Sequence, residues 1–366
     1  MPTVGTICAS LDRFASPELA AEWDNVGLLF GNSATQVQRI LTCLTVTAEV
    51  VDEAIESGVQ LIVAHHPILF RGTKRLVASS AEGKFLWPLA RAGVSIYSPH
   101  TSFDNCVGGI NDIIAQRLGL ADVKPLRPAT SRQFKVVVFT PDDDLQKVSD
   151  SMFAAGAGHI GQYRQCSFRL PGAGTFFGSD ASHPTIGQKG RLEEVNEQRL
   201  EVICPENRLA TVLQAMRHAH SYEEPAYDVY PLQPSPSGTG EGRLGRLANA
   251  ATLAELARRV KRELNASVVQ IVGDEARPID CVAIACGAAG EFLGDAVRAN
   301  ADAFLTGEMR FHEYLAAKAQ GIALILPGHY ATERPAVEVL AENLQTSWPG
   351  LNVWASRRES DPVASV

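Results

Sequence analysis

Three strand-length apolar runs in this 366-residue chain stop at polar clusters that carry histidine, two near its beginning and one near its end. Val59-Gln60-Leu61-Ile62-Val63-Ala64 leads into His65-His66-Pro67, and Val94-Ser95-Ile96-Tyr97 into Ser98-Pro99-His100-Thr101-Ser102-Phe103-Asp104. Ala323-Leu324-Ile325-Leu326 leads into Pro327-Gly328-His329-Tyr330-Ala331-Thr332-Glu333. Open α/β sheets bind ligands at the carboxyl ends of their strands. If the three clusters share one site, the two ends of the chain must fold as a single domain.

The surrounding pattern agrees with an α/β layer structure. Helix-like segments at Val4 to Phe14, Ala48 to Ser57 and Lys84 to Ala92 alternate with strands at Arg39 to Leu44, Val59 to Ala64 and Val94 to Tyr97. The rhythm resumes with a helix at Leu253 to Leu264, strands at Val268 to Val272, Cys281 to Ala285, Ala303 to Leu305 and Ala323 to Leu326, and a closing helix at Pro335 to Leu344. The middle reads differently: strand Phe134 to Phe139, helix Leu145 to Ala154, strands Arg164 to Phe168 and Arg199 to Ile203, helix Arg208 to Ala219, strand Ala226 to Tyr230. That β-α-β-β-α-β order is ferredoxin-like. The proline- and glycine-rich stretch 231–240 reads as a linker. The expected organisation is a discontinuous α/β domain, 1–126 plus 241–366, with a ferredoxin-like domain inserted at 127–240.

Charge and cysteine usage narrow the function classes. The chain has 33 basic and 41 acidic residues, and neither the flanks (22 and 28) nor the insert (11 and 13) is basic. Broad binding to nucleic acid, which depends on clustered Lys and Arg, is therefore disfavoured. No apolar run approaches the roughly 20 residues of a membrane helix, and no signal-like segment opens the chain, so the expected location is cytoplasmic. Seven cysteines, at 8, 43, 106, 166, 204, 281 and 286, contain no C-x-x-C pair and read as small core residues.

The strand-end clusters carry the chemistry. Adjacent strand residues face opposite ways, so His65 and His66 can serve one site only if the chain leaves the strand there, which Pro67 favours. His329 and Glu333 are four apart and share a face if the last helix begins near Tyr330. With Asp104 they make a set of three imidazoles and two carboxylates, suited to two divalent ions at a reactive centre more than to a closed, cysteine-rich structural site. Zinc, iron, manganese and cobalt all accept such donors.

Five motifs in order resemble those of the family named GTP cyclohydrolase 1 type 2 homolog, also called NGG-interacting-factor-three-like. They are Glu22-Trp23-Asp24-Asn25-Val26-Gly27-Leu28-Leu29; Ala64-His65-His66-Pro67-Ile68; His100-Thr101-Ser102-Phe103-Asp104 with Gly108-Gly109-Ile110-Asn111-Asp112; Thr306-Gly307-Glu308; and Gly328-His329-Tyr330-Ala331-Thr332-Glu333. Within the insert, residues 155–161 and 219–228 resemble the PII-like or CutA-like domain of longer members. The resemblance implies a dinuclear metal centre on His65, His66, Asp104, His329 and Glu333. It also implies a ring-shaped homohexamer whose sites face an internal cavity, with the insert domains over its openings. Ala64 stands where many relatives have Ser or Thr, and Ser102-Phe103 where Asn-Leu is commoner; both changes spare the ligands. Arg310-Phe311-His312 matches loosely, so no role is carried over to His312.

Other candidates keep two readings each. His100 could shuttle a proton, orient Asp104, or make a plain strand-end hydrogen bond. Glu308 could act as a general base or as the acidic start of the next helix. Trp23-Asp24-Asn25 reads as packing beneath the site rather than a named role, His159 as a subunit contact or plain loop rather than an anion-binding glycine turn, and His218 and His220 as charges suited to a helix end rather than a second metal site. The functional expectation is a hydrolase that attacks a C–N, amide or phosphoester bond of a nucleotide or other small molecule through a metal-activated water. The family name points to opening of the purine imidazole ring of GTP. The alternative is a non-enzymatic protein that buffers or delivers metal or senses a metabolite.

Overall fold

A computed structural model describes residues 1–161, 163–233 and 235–364. It is a mixed α/β structure that divides into two compact units, residues 1–129 with 238–366, and residues 130–237.

The discontinuous unit is built on two sheets. In the first, Arg39–Cys43, Leu61–Ala64 and Ser95–Ser98 are parallel neighbours, Asn352–Ala355 joins parallel beside Arg39–Cys43, and Gly27–Phe30 closes the other edge antiparallel. In the second, Pro278–Ile284, Ala303–Leu305 and Ala323–Leu326 are parallel, with Gln270–Val272 antiparallel at one edge and the long strands Ser235–Thr252 and Leu120–Ser131 at the other. Alternation along each strand decides what it packs against. Ile40, Leu61, Val63 and Tyr97 of the first sheet share one core with Val282, Ile284, Leu305 and Ile325 of the second and with the helices Val4–Phe14, Leu253–Glu263 and His329–Ser347. The opposite faces pack separately. Leu41, Ile62 and Ile96 meet the helices Ala48–Glu56 and Ala81–Ala92, while Ala283, Phe304 and Leu324 meet the segment from Phe292 to Ala301.

Three departures from the sequence expectation bear on the site. The segment after Ser95–Ser98, given no element in the sequence reading, is helical: His100–Asn105 is a helix, followed by a second at Ile110–Arg117. Thr, Ser, Asp and Asn are weak helix formers, so packing of Phe103 and Ile110 into the core overrides local preference. The last helix begins at His329, one residue before the start near Tyr330 that the His329–Glu333 pairing required and six before Pro335, which it carries inside. Finally, the strand Ser235–Thr252 runs through most of the stretch expected to be a linker, because backbone pairing beside Leu120–Ser131 needs no particular side chains; Pro234 of that stretch lies outside the described residues.

The unit formed by residues 130–237 has strands Gln133–Thr140, Ser167–Phe177, Leu192–Pro205 and Tyr227–Pro231 and helices Leu145–Ala154 and Glu206–Ala219. Its sheet runs second, third, first, fourth strand, with antiparallel pairing throughout. Val136, Val138, Leu200 and Val202 cover one face with Val148, Met152, Val212 and Met216 of the helices. His220 is buried, linking the Phe139 carbonyl to the Tyr222 amide at 3.0 Å each, so it braces this unit where a solvated helix-end charge was expected. Among the described residues, no helix is long and apolar enough to cross a membrane.

Arg243 fastens the two chain segments of the discontinuous unit. Its guanidinium, 1% exposed, holds both oxygens of Asp112 and donates to the carbonyls of Cys106, Gly240 and Gly242 at 2.7 to 2.8 Å. Removing Arg243 leaves Asp112, 24% exposed, and three carbonyls without its hydrogen bonds; breaking a fully buried pair typically costs about 3–5 kcal/mol, and water reaching Asp112 places this one toward the lower end. Arg243→Leu is therefore expected to lower unfolding free energy by about 3 kcal/mol or more in denaturant titrations; a loss below about 1 kcal/mol would show the pair to be ornamental.

Candidate metal centre

The parallel strands of both sheets deliver their carboxyl ends to one place. Leu61–Ala64 ends one residue before His65, whose backbone is held by Ser98 Oγ donating to its carbonyl at 2.7 Å and by its own amide donating to Cys43. The two imidazoles diverge only modestly, with ring centroids 5.2 Å apart. Thr45 Oγ1 sits 2.7 Å from His66 Nδ1 and leaves Nε2 to face Glu333 at 3.0 Å.

Helices at two strand ends repeat one device. His100 and Asp104 stand four apart on His100–Asn105, and His329 and Glu333 four apart on His329–Ser347, so each helix presents an imidazole and a carboxylate from one face. His329 Nε2 lies 3.1 Å from Glu333, and His65 Nε2 lies 3.7 Å from Asp104 and 4.0 Å from Glu333. All five expected ligands are thus brought together. His65, His66 and His100 form one group of donors spaced for a cation, and His66, His329 and Glu333 another.

Motif residues without ligand chemistry shape this geometry. Asn111 donates to the Asp104 carbonyl at 3.1 Å and accepts from the Cys286 amide at 2.9 Å, while Cys286 Sγ donates to Asp104 Oδ1 at 3.3 Å. Thr332 Oγ1 accepts from the Gly287 amide, and Thr306 Oγ1 donates to the Gly287 carbonyl, both at 3.0 Å. Gly287 has φ +66, and a β-carbon there would lie 2.4 Å from Glu333 Oε1. Gly307 is as confined, since its β-carbon would lie 2.8 Å from His329 Cα. Neither backbone leaves room for a side chain.

Electrostatics favour a cation. Burial drives the His65 ring to stay neutral, well below the ordinary histidine range, and among the described residues neither of its ring nitrogens has a hydrogen-bond partner. A buried polar atom without a partner is costly, and a metal ion is one way to complete it. Burial and the charge of Glu333 push Asp104 upward, while Glu333 stays low because hydrogen bonds from His329 and His66 outweigh its burial. The buried Glu333 and the partly exposed Asp104 beside three imidazoles are the donor set expected for divalent ions.

Glu308 and His100 fall in different places. Glu308, largely exposed on the loop after Ala303–Leu305, sits 3.1 Å from His329 Nδ1 and so orients that ring. His100 lines the cleft, with its centroid 5.1 Å from that of His65 and its Nδ1 2.7 Å from Asp24. Sequence reasoning left Asp24 without a role, although its place in Trp23-Asp24-Asn25 was the available signal. Trp23 does not lie beneath the site: it is 61% exposed at the mouth, edge-on to Phe70 and to His100. His159 is exposed on a turn of the other unit, and His312 is exposed beside Phe311. The cleft holds about 350 Å³ and is lined by His66, His100, Asp104, His329, Glu333 and the turn at 285–289, with Glu241 and Glu291 also on its wall.

The family profile described as Duf34/NIF3 (NGG1p interacting factor 3) matches residues 2–362. The chain belongs to that family. Proteins named GTP cyclohydrolase 1 type 2 homolog are similar along nearly their whole length: one from Halalkalibacterium halodurans is 38% identical over 99% of this chain and 98% of its own, and one from Bacillus subtilis 35% identical over 96% and 95%. Among solved structures, a Bacillus cereus protein related to NIF3 is 34% identical with a TM-score of 0.79, covering 100% of this chain and 99% of the other. A Staphylococcus aureus protein, 28% identical over the same shares, has a TM-score of 0.82.

A proton count follows from the site. The hydrogen bond to Glu333, acting against burial, raises His329 to about 9, so its ring is protonated near neutrality in the metal-free protein. A ligating imidazole must be neutral. Adding zinc to metal-free protein at about pH 7 is expected to release about one proton or more per chain, seen as a binding enthalpy that changes with the ionisation enthalpy of the buffer in titration calorimetry. A buffer-independent enthalpy would exclude His329 as a ligand.

Proposed function

We propose that this chain is a divalent-metal-dependent hydrolase of a small molecule, with His65, His66, Asp104, His329 and Glu333 holding two ions. Zinc, iron, manganese and cobalt suit the donors. The observation that carries the reading is the convergence of His65, His66, His329 and Glu333 at strand ends, with Asp104 3.7 Å from His65 Nε2, around a His65 ring whose two buried nitrogens have no hydrogen-bond partner among the described residues. When bound, such ions polarise a substrate oxygen and acidify water for attack on a C–N, amide or phosphoester bond.

The side chains divide the remaining work. Glu308 and Thr45 fix the rings of His329 and His66 through their Nδ1 atoms. His100, a histidine on the cleft wall outside that ligand set, holds or passes a proton at Nε2. The catalytic assignment is therefore stronger for His100 than for Glu308, whose carboxylate is engaged by His329. Relatives carry the name GTP cyclohydrolase 1 type 2 homolog, which makes a nucleotide the first substrate to test. Among the described residues, however, the cleft wall has no lysine or arginine and does have Glu241 and Glu291, so a neutral heterocycle or amide suits it better than a triphosphate.

A second reading, metal buffering or delivery, is favoured by one feature. His66 and His329 are partly exposed and also line a second cleft of about 600 Å³, so bound ions would be open to exchange. For the unit at 130–237, the element order and the antiparallel sheet order support a ferredoxin-like, PII-like domain. The proposed boundaries, 1–126 with 241–366 around 127–240, lie within three residues of the compact units. We carry over from the family a ring-shaped homohexamer in the cytoplasm.

Metal analysis of wild type beside His65→Ala and Glu333→Ala, followed by product identification with GTP, guanosine and small amides, tests the assignment. Both variants are expected to lose metal, and with it about 100-fold or more of any turnover. Full metal content in both would refute the site. A metal-loaded wild type that turns over none of these compounds, yet loads an apo-acceptor, would favour delivery over hydrolysis.

A further inference from the structure

We infer that Asp24, from the Trp23-Asp24-Asn25 run, is a positioning residue that fixes His100 so that only its Nε2 exchanges protons with the cleft. The two residues are 76 positions apart and meet at 2.7 Å, between Asp24 Oδ1 and His100 Nδ1. The Asp24 side chain is fully buried, and among the described residues each of its hydrogen bonds comes from a donor. Oδ1 also accepts from the Asn25 amide at 2.7 Å, and Oδ2 accepts from the Thr101 amide at 3.1 Å and from Thr101 Oγ1. Thr101 Oγ1 is itself tied to the Ala21 amide at 2.9 Å, so the carboxylate is locked at both ends.

An ionised carboxylate accepts hydrogen bonds and donates none. The His100 nitrogen facing Asp24 must therefore carry the proton whether the ring is neutral or charged. The other nitrogen, Nε2, is left for the cleft, where the His65 and His66 rings stand 5.1 and 5.8 Å from the His100 ring. The local backbone has the mark of an imposed position. His100 has φ +25, a conformation that side-chain-bearing residues rarely adopt and that persists only when surroundings over-determine it. The surroundings here are the buried Asp24 and the edge of Trp23, 6.0 Å from the ring. Asn25 Nδ2 extends the same anchoring to the Leu69 carbonyl at 3.3 Å, on the loop that carries Phe70. The run thus serves the site from a loop that contributes no metal donor.

This inference rests on the metal-centre reading for the direction in which Nε2 works, and its test separates the two. Zinc-loaded and metal-free protein, wild type and Asp24→Asn, are treated with diethyl pyrocarbonate, and labelling of each histidine is followed by peptide mass spectrometry. An amide at position 24 can donate to Nδ1 and so shift the ring proton to Nε2, as a carboxylate cannot. Labelling of His100 is expected to fall about tenfold in Asp24→Asn while zinc content stays at the wild-type level. Faster labelling overturns the inference, as does loss of zinc from the variant or protection of His100 itself by zinc, which would make it a ligand; unchanged labelling, which follows if the amide oxygen keeps accepting from Nδ1, passes the decision to nitrogen-15 spectra of the wild type. If His66 and His329 label equally with and without zinc, the metal reading fails while the Asp24 comparison still stands. Should the variant not fold, nitrogen-15 spectra of histidine-labelled wild type decide: a proton on Nδ1 of His100 supports the inference, and a ring protonated at Nε2 alone overturns it.

Discussion

Asp104 and Glu333 put two carboxylates into one largely buried space, and the rest of this site is arranged around the charge they bring. Neither can be left in apolar surroundings without compensation. Glu333 takes hydrogen bonds from His66 and His329, while among the described residues Asp104 faces a thiol at 3.3 Å and His65 at 3.7 Å. The asymmetry shows in their opposite displacements from ordinary carboxylate behaviour. A divalent cation would relieve both carboxylates and would complete the buried nitrogens of His65.

Holding like charges together demands a stiff frame, and the frame is built from polar residues with short reach. Asn111 joins the helix after Asp104 to the turn at Cys286, Thr306 and Thr332 hold that turn from two sides, and Gly287 and Gly307 let backbone pass where a side chain would collide. Arg243 and Asp112 then bind the first and last segments of the chain, the guanidinium buried and the carboxylate partly exposed. Motif residues with no chemistry of their own are thus explained by geometry: they set where the donors stand.

Much of the fold was legible because its signals are local. Apolar runs and their alternation mark the parallel strands, and Ala303 to Leu305, Ala323 to Leu326 and the first helix match residue for residue. What escaped were elements whose local preference is weak or misleading. His100–Asn105 is helical despite its Thr, Ser and Asp, the last helix passes through Pro335, and glycine-rich backbone at 238–240 belongs to a strand. In each case burial or pairing with distant residues outweighs a preference worth well under a typical core contact.

The five donors and their places at strand ends were set by sequence alone, since residue type decides ligand chemistry and strand periodicity decides where a chain turns. The partners of those donors were decided by tertiary structure. Asp24 reaches His100 across 76 positions, Asn111 reaches Cys286 across 175, and Asp112 reaches Arg243 across 131. Nothing in local periodicity encodes such meetings, because they depend on how two sheets stack and on which loops that stacking brings to the same end.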